Sequence, residues 1–145
     1  MAETSPFDVP KPRPIPTPTS QPYWDGLARN QILMQQCADC ASWVFYPRSR
    51  CTRCLSESLT WKEVSGRGTV FTYSIATQPT GPMFADETPQ LIAIVELDNG
   101  VRLTTTLITD DIADDIAALR VGVPVEPVFD HGSDGMTLLR FRITD

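Results

Sequence analysis

Two cysteine pairs of identical spacing govern what this chain can become. Cys37-Ala38-Asp39-Cys40 and Cys51-Thr52-Arg53-Cys54 each have the form C-x2-C, ten residues part them, and together they hold every cysteine of the protein. Such a pair turns tightly enough to aim two sulfurs at one point. Two facing pairs supply the tetrahedron of thiolates used by closed structural Zn2+ sites. The spacing suits a small zinc ribbon, with a hairpin tip between its knuckles. Two disulfides would need an oxidising compartment, and the N-terminus MAETSPFDVP has no basic segment followed by an apolar one. A redox C-x2-C stands alone at the start of a helix. Iron fits the same four sulfurs, which leaves a rubredoxin-like electron carrier open. A four-thiolate site keeps no position for water or substrate, so it scaffolds and does no chemistry.

At 145 residues the chain makes one ordinary domain or two small ones sharing a core. No apolar run is long enough to cross a bilayer, and cytoplasmic is the expectation. Charge divides unevenly. Residues 1–67 carry eight Lys/Arg against six Asp/Glu, a balance of +2, whereas residues 68–145 carry four against twelve, a balance of −8. Duplex nucleic acid is therefore disfavoured as a partner, since its affinity comes from neutralised phosphates. A small anion at Arg48, Arg50 and Arg53 is compatible with the local charge.

Residues 1–19 hold Pro6, Pro10, Pro12, Pro14, Pro16 and Pro18. Alternating prolines remove backbone donors and extend the chain. This segment reads either as a disordered tail or as an arm lying on a partner, anchored through Phe7, Val9 and Ile15. A short helix is expected over 20–30, with Ser20 as N-cap and Pro22 in its first turn. Tyr23, Trp24 and Leu27 share one face of it and serve either the protein's own core or the docking of another chain.

The zinc ribbon is assigned to 31–64, with strands at Gln31–Gln36, Trp43–Pro47 and Thr60–Val64. It buries too little apolar surface to stand without metal. Ser65-Gly66-Arg67-Gly68 reads as a flexible joint. Beyond it, over 65–145, five strands are expected: Thr69–Ile75, Leu91–Leu97, Val101–Leu107, Val123–Phe129 and Thr137–Ile143. Asp98-Asn99-Gly100 predicts a type I′ hairpin. Pro124 and Pro127 push the fourth strand toward an edge or bulge. A helix over Asp111–Leu119 falls between the third and fourth strands, capped by Asp110 or Asp111. The fold class is thus mainly β: a short N-terminal helix, a four-cysteine zinc ribbon and a five-stranded OB-fold barrel, with an SH3-like barrel as structural competitor.

Catalytic equipment is sparse. His131 is the one histidine and reads as a solvated turn residue beside Gly132. Neither G-x-S-x-G nor G-x-x-x-x-G-K-[ST] occurs. Asp110, Asp111, Asp114 and Asp115 read as a helix cap and a solvated face.

Helix, ribbon and barrel in this order resemble the DUF35 family, the OB-fold acyl-CoA-associated proteins with a rubredoxin-like zinc ribbon. The resemblance rests on Tyr23-Trp24-Asp25-Gly26-Leu27, the two C-x2-C pairs, Tyr46-Pro47-Arg48, Ser65-Gly66-Arg67-Gly68-Thr69-Val70, Val95-Glu96-Leu97, Gly122-Val123-Pro124-Val125 and Leu139-Arg140-Phe141. It covers roughly 20–143 and departs at Ala41, where the family often has Gly. It implies a non-catalytic accessory subunit, holding one structural Zn2+, of a thiolase-fold enzyme acting on CoA thioesters, either a thiolase or a retro-aldolase. The partner would supply the catalytic groups. A MaoC-like enoyl-CoA hydratase is the alternative partner. A single-stranded nucleic-acid module is the rival of another class. CoA bears phosphates that Arg grips in bidentate fashion, so Arg48, Arg50, Arg53 and Arg67 are candidate CoA contacts.

Overall fold

The computed structural model describes residues 10–144; Phe7 and Val9, two of the expected arm anchors, lie outside them. Helix α1 (Gln21–Ala28) leads into a three-stranded antiparallel sheet of β1 (Ile32–Cys37), β2 (Trp43–Val44) and β3 (Leu59–Val64), ordered β2-β1-β3. The second sheet holds β4 (Gly68–Ala76), β5 (Gln90–Leu97), β6 (Arg102–Thr106), β7 (Pro124–His131) and β8 (Thr137–Ile143), ordered β6-β5-β4-β7-β8. A parallel bridge between Leu107 and Phe141, with Ile108 N donating to Phe141 O at 2.8 Å, brings its two ends together. Closure of five strands in this order is the OB-fold arrangement. Helix α2 (Ile112–Ala118) lies between the third and fourth barrel strands.

One main core joins the parts. Phe141, Val95, Val70 and Leu91 fill the barrel, while Leu27 of α1 and Ile32 and Met34 of β1 enter the same cluster. Gly66 and Gly68 make the connection a packed corner where a flexible joint was expected. A Cβ on Gly68 would run into Glu96 O, and one on Gly66, whose φ is 74°, into Ile32 Cδ1. Both glycines are needed because neighbouring chain occupies the space of a side chain.

Local chemistry accounts for the other departures. Ser20 does not cap α1; its hydroxyl accepts from Thr17 N at 2.9 Å within the preceding turn. Arg29 and Asn30, the latter at φ 60°, end the helix as expected. The 97–101 hairpin is not type I′. Gly100 takes the positive φ alone, and Gly100 N donates to Leu97 O at 2.8 Å, so a three-residue loop with a glycine bulge makes the turn. The edge expected of β7 holds over most of its length, since it pairs with β4 only at Pro124 and Val125. Asp111 caps α2, its carboxylate accepting from Ala113 N and Asp114 N. Among the described residues, no helix is long and apolar enough to cross a membrane.

Candidate metal centre and ligand cleft

The two knuckles repeat one backbone pattern. Ala41 N donates to Cys37 O at 2.9 Å and Cys37 N to Ser42 O at 2.9 Å; Leu55 N donates to Cys51 O at 3.0 Å and Cys51 N to Ser56 O at 2.8 Å. Each turn closes on a residue in the left-handed region, Ala41 at φ 62° and Leu55 at φ 65°. That conformation explains why glycine is favoured after such a knuckle, and why Ala41 still fits. Asp39 of one knuckle accepts a hydrogen bond from Ser56 beyond the other.

All four sulfurs lie within 4.8 Å of one another, with Cys37–Cys54 and Cys40–Cys51 each at 3.6 Å. A regular tetrahedron with Zn–S bonds near 2.3 Å has edges of about 3.8 Å. The donor set, its geometry and its closed coordination therefore fit one structural Zn2+ held by Cys37, Cys40, Cys51 and Cys54. The crowded thiols alone are an awkward cluster. Hydrogen bonds from the Ser42 side chain and backbone hold Cys40 down to about 6. At Cys54 the Ser56 N–H pulls down, but proton sharing with Cys37, burial and the other two sulfurs push the thiol up to about 12. A divalent cation removes that conflict by taking all four as thiolates. Cys37, Val44 and Cys51 form a small core of their own around the site.

The arginines separate. Arg48 is exposed, and its backbone is clamped by buried Gln35, which accepts from Arg48 N at 2.8 Å and donates to Arg48 O at 2.9 Å. Arg50 is engaged by Glu57 at 2.7 Å. Arg67 is exposed at the packed corner, where its carbonyl accepts from Asp98 N at 3.0 Å. Arg53 alone of the four lines an open cleft of about 440 Å3 between ribbon and barrel. There it meets a residue that sequence reasoning missed, Arg102, along with Trp43, Phe45, Ser42 and Asn99. Arg102 Nε donates to Glu96 Oε2 at 2.6 Å, and its guanidinium stacks 3.8 Å from the centre of the Phe71 ring. Phe71 is the residue at the β4 bulge, between Val70 and Thr72. No short-range pattern links Arg53 to Arg102; only the hairpin's approach to the knuckle does.

The docking face expected on α1 is largely internal. Tyr23 and Leu27 are buried in this chain's own core, and only Trp24 keeps appreciable surface. Burial raises the Tyr23 phenol well above its ordinary range, so it stays protonated. His131 is not a free turn residue. Nε2 donates to Asn30 Oδ1 at 2.6 Å and Nδ1 accepts from Thr137 Oγ1 at 2.9 Å, which ties the end of α1 to β7 and β8.

A zinc ribbon packed on an OB-fold barrel defines the class. The family described as "ChsH2, rubredoxin-like zinc ribbon domain" matches residues 24–60, and "ChsH2, C-terminal OB-fold domain" matches 61–130. A DUF35 domain-containing scaffold protein of Methanothermobacter thermautotrophicus is 32% identical over 79% of this chain and 86% of its own length. The chain belongs to the DUF35 family. A probable enoyl-CoA hydratase alpha subunit of Thermomonospora curvata is 31% identical over 91% of this chain, which spans 40% of that protein's length. Among solved structures, a chain of the Ltp2-ChsH2(DUF35) aldolase is 28% identical, with a TM-score of 0.76 over 90% of this chain and 98% of that one.

Proposed function

We propose that this protein is a non-catalytic, zinc-scaffolded subunit that assembles with a thiolase-fold enzyme and helps it hold a CoA thioester during carbon–carbon bond cleavage or formation. The observation that carries the reading is likeness along nearly the whole of a chain from an aldolase complex. The thiolase fold of the partner rests on the family resemblance in the sequence. The cleft adds chemistry: two guanidiniums, Arg53 and Arg102, beside Trp43 and Phe45 suit a phosphorylated nucleotide head with an aromatic base. In this reading the ribbon fixes Arg53 through its knuckle, and Glu96 and Phe71 fix the orientation of Arg102. Of Tyr23, Trp24 and Leu27, Trp24 alone keeps surface at the edge of α1, beside the exposed Gln21, Asp25 and Ala28.

A hydratase partner is the second reading, favoured by the name of the Thermomonospora curvata relative. The nucleic-acid reading is poorly supported, because the barrel half carries the −8 balance. Arg53→Ala should weaken CoA-ester binding by the assembled complex by about tenfold, the loss of one charge-assisted contact, without releasing the partner. Unchanged ester affinity in both Arg53→Ala and Arg102→Ala complexes would remove the ligand assignment.

A further inference from the structure

A second cavity, which shares no lining residue with the Arg53 cleft, runs under the N-terminal arm. It encloses about 550 Å3, within the range of small-molecule sites. Its walls include Trp24, Tyr46, Phe84, Ile92 and Leu138, together with Arg140, which is paired with Glu87 and Asp130. Tyr46 and Leu138 are 56% and 38% exposed, so two of the large apolar side chains left open on this chain face the same groove. The groove continues the line of the anion cleft. Phe45 borders the cleft and Tyr46 the groove, while Arg102 and Thr104, two apart and so on one face of β6, border them in the same order.

The roof is weakly held. Pro12 and Pro14 cross the groove. Among the described residues, no backbone hydrogen bond fastens residues 10–16 to the barrel. Lys11 reaches Asp86 and Glu87 at 3.4 Å each, and Arg13 pairs with Asp134. Partners so exposed to water contribute little and are screened by salt. Residues 10–16, held at these two charged points and through the partly buried Pro14 and Pro16, with backbone donors removed by proline, can lift without breaking structure beneath them.

We infer that the groove seats the far end of the acyl chain, beyond the carbons on which the partner acts, and that residues 10–16 are a strap over it. This rests on the reading that the Arg53–Arg102 cleft takes the phosphorylated head. The order of the two cavities then matches the order of the ligand: anionic head, then apolar tail.

The test titrates the full zinc-loaded chain with CoA, butanoyl-CoA and octanoyl-CoA, and separately with Nile red, a neutral apolar probe lacking the head. Ester affinity should climb with acyl length, by up to about fourfold per buried methylene. Lys11→Glu/Arg13→Glu should weaken Nile red severalfold, because lifting the strap removes Pro12 and Pro14 from the wall that the ligand contacts. Leu138→Lys, at a part-exposed site, should weaken octanoyl-CoA and Nile red while leaving CoA unchanged. Affinity independent of acyl length, or Nile red binding unmoved by both variants, overturns the inference. The two claims fail separately. If Arg53→Ala weakens every ester equally with no length dependence, the head site stands and the groove falls. If length dependence persists and Arg53→Ala has no effect, the groove stands and the head site falls.

Discussion

Leu55 occupies a left-handed position that an L side chain adopts at a cost, and its side chain is 67% exposed with little packing to lose. Leu55→Gly should therefore stabilise the zinc-loaded protein by about 1 kcal/mol, read from denaturant midpoints. An unchanged or lower midpoint would mean that the leucine packs usefully in solution. The sequence showed which sulfurs converge, because a two-residue spacer is a local constraint. It did not show that Arg50 is engaged by Glu57, that Gln35 clamps Arg48, or that Arg102 joins Arg53. Each of those depends on which side chains tertiary packing brings together.

Elements follow the same division. Alternating β-branched and apolar runs located every barrel strand to within a few residues, and Asp111 was legible as a cap because capping is local. The turn type of the 97–101 hairpin and the 66–68 corner were misjudged. Register and close approach decide those, and the facing strand sets both. Helix α2 has an electrostatic weakness. Burial, then the charges of Asp110, Asp111 and Asp114, raise the Asp115 carboxyl, with Arg142 partly offsetting them. An acid whose folded value lies above its unfolded one costs no stability while protonated in both states. The cost appears as pH rises through the unfolded value of 3.8 and is complete above the folded value. Asp115→Asn should raise the melting temperature at neutral pH and leave it unchanged well below the carboxylate range. Equal shifts at both pH values would point to packing as the cause. The ribbon's own small core sets a further expectation. Chelation should abolish hydrogen-exchange protection in the two knuckles while β4, β5 and β8 keep theirs, since Cys37, Val44 and Cys51 cluster apart from the barrel. Loss of protection throughout would show the two parts to be one cooperative unit.

In the proposed reading, metal, cleft and groove divide the work of the whole molecule. The four cysteines lie remote from any reacting bond in this account; their metal fixes the knuckle that carries Arg53. Residues 10–16 lie against this chain's own barrel, a position that was not legible because Asp86 and Asp134, which pair with Lys11 and Arg13, are far away in sequence. Ile15, expected to anchor an arm on a partner, is 88% exposed on this chain and so takes no part in its own core. If this chain completes another enzyme, as proposed, turnover of a CoA thioester measured with the zinc-loaded chain, with a thiolase-fold protein that co-purifies with it, and with the two together should be absent from this chain and full only in the pair. Robust turnover by this chain alone would overturn that reading.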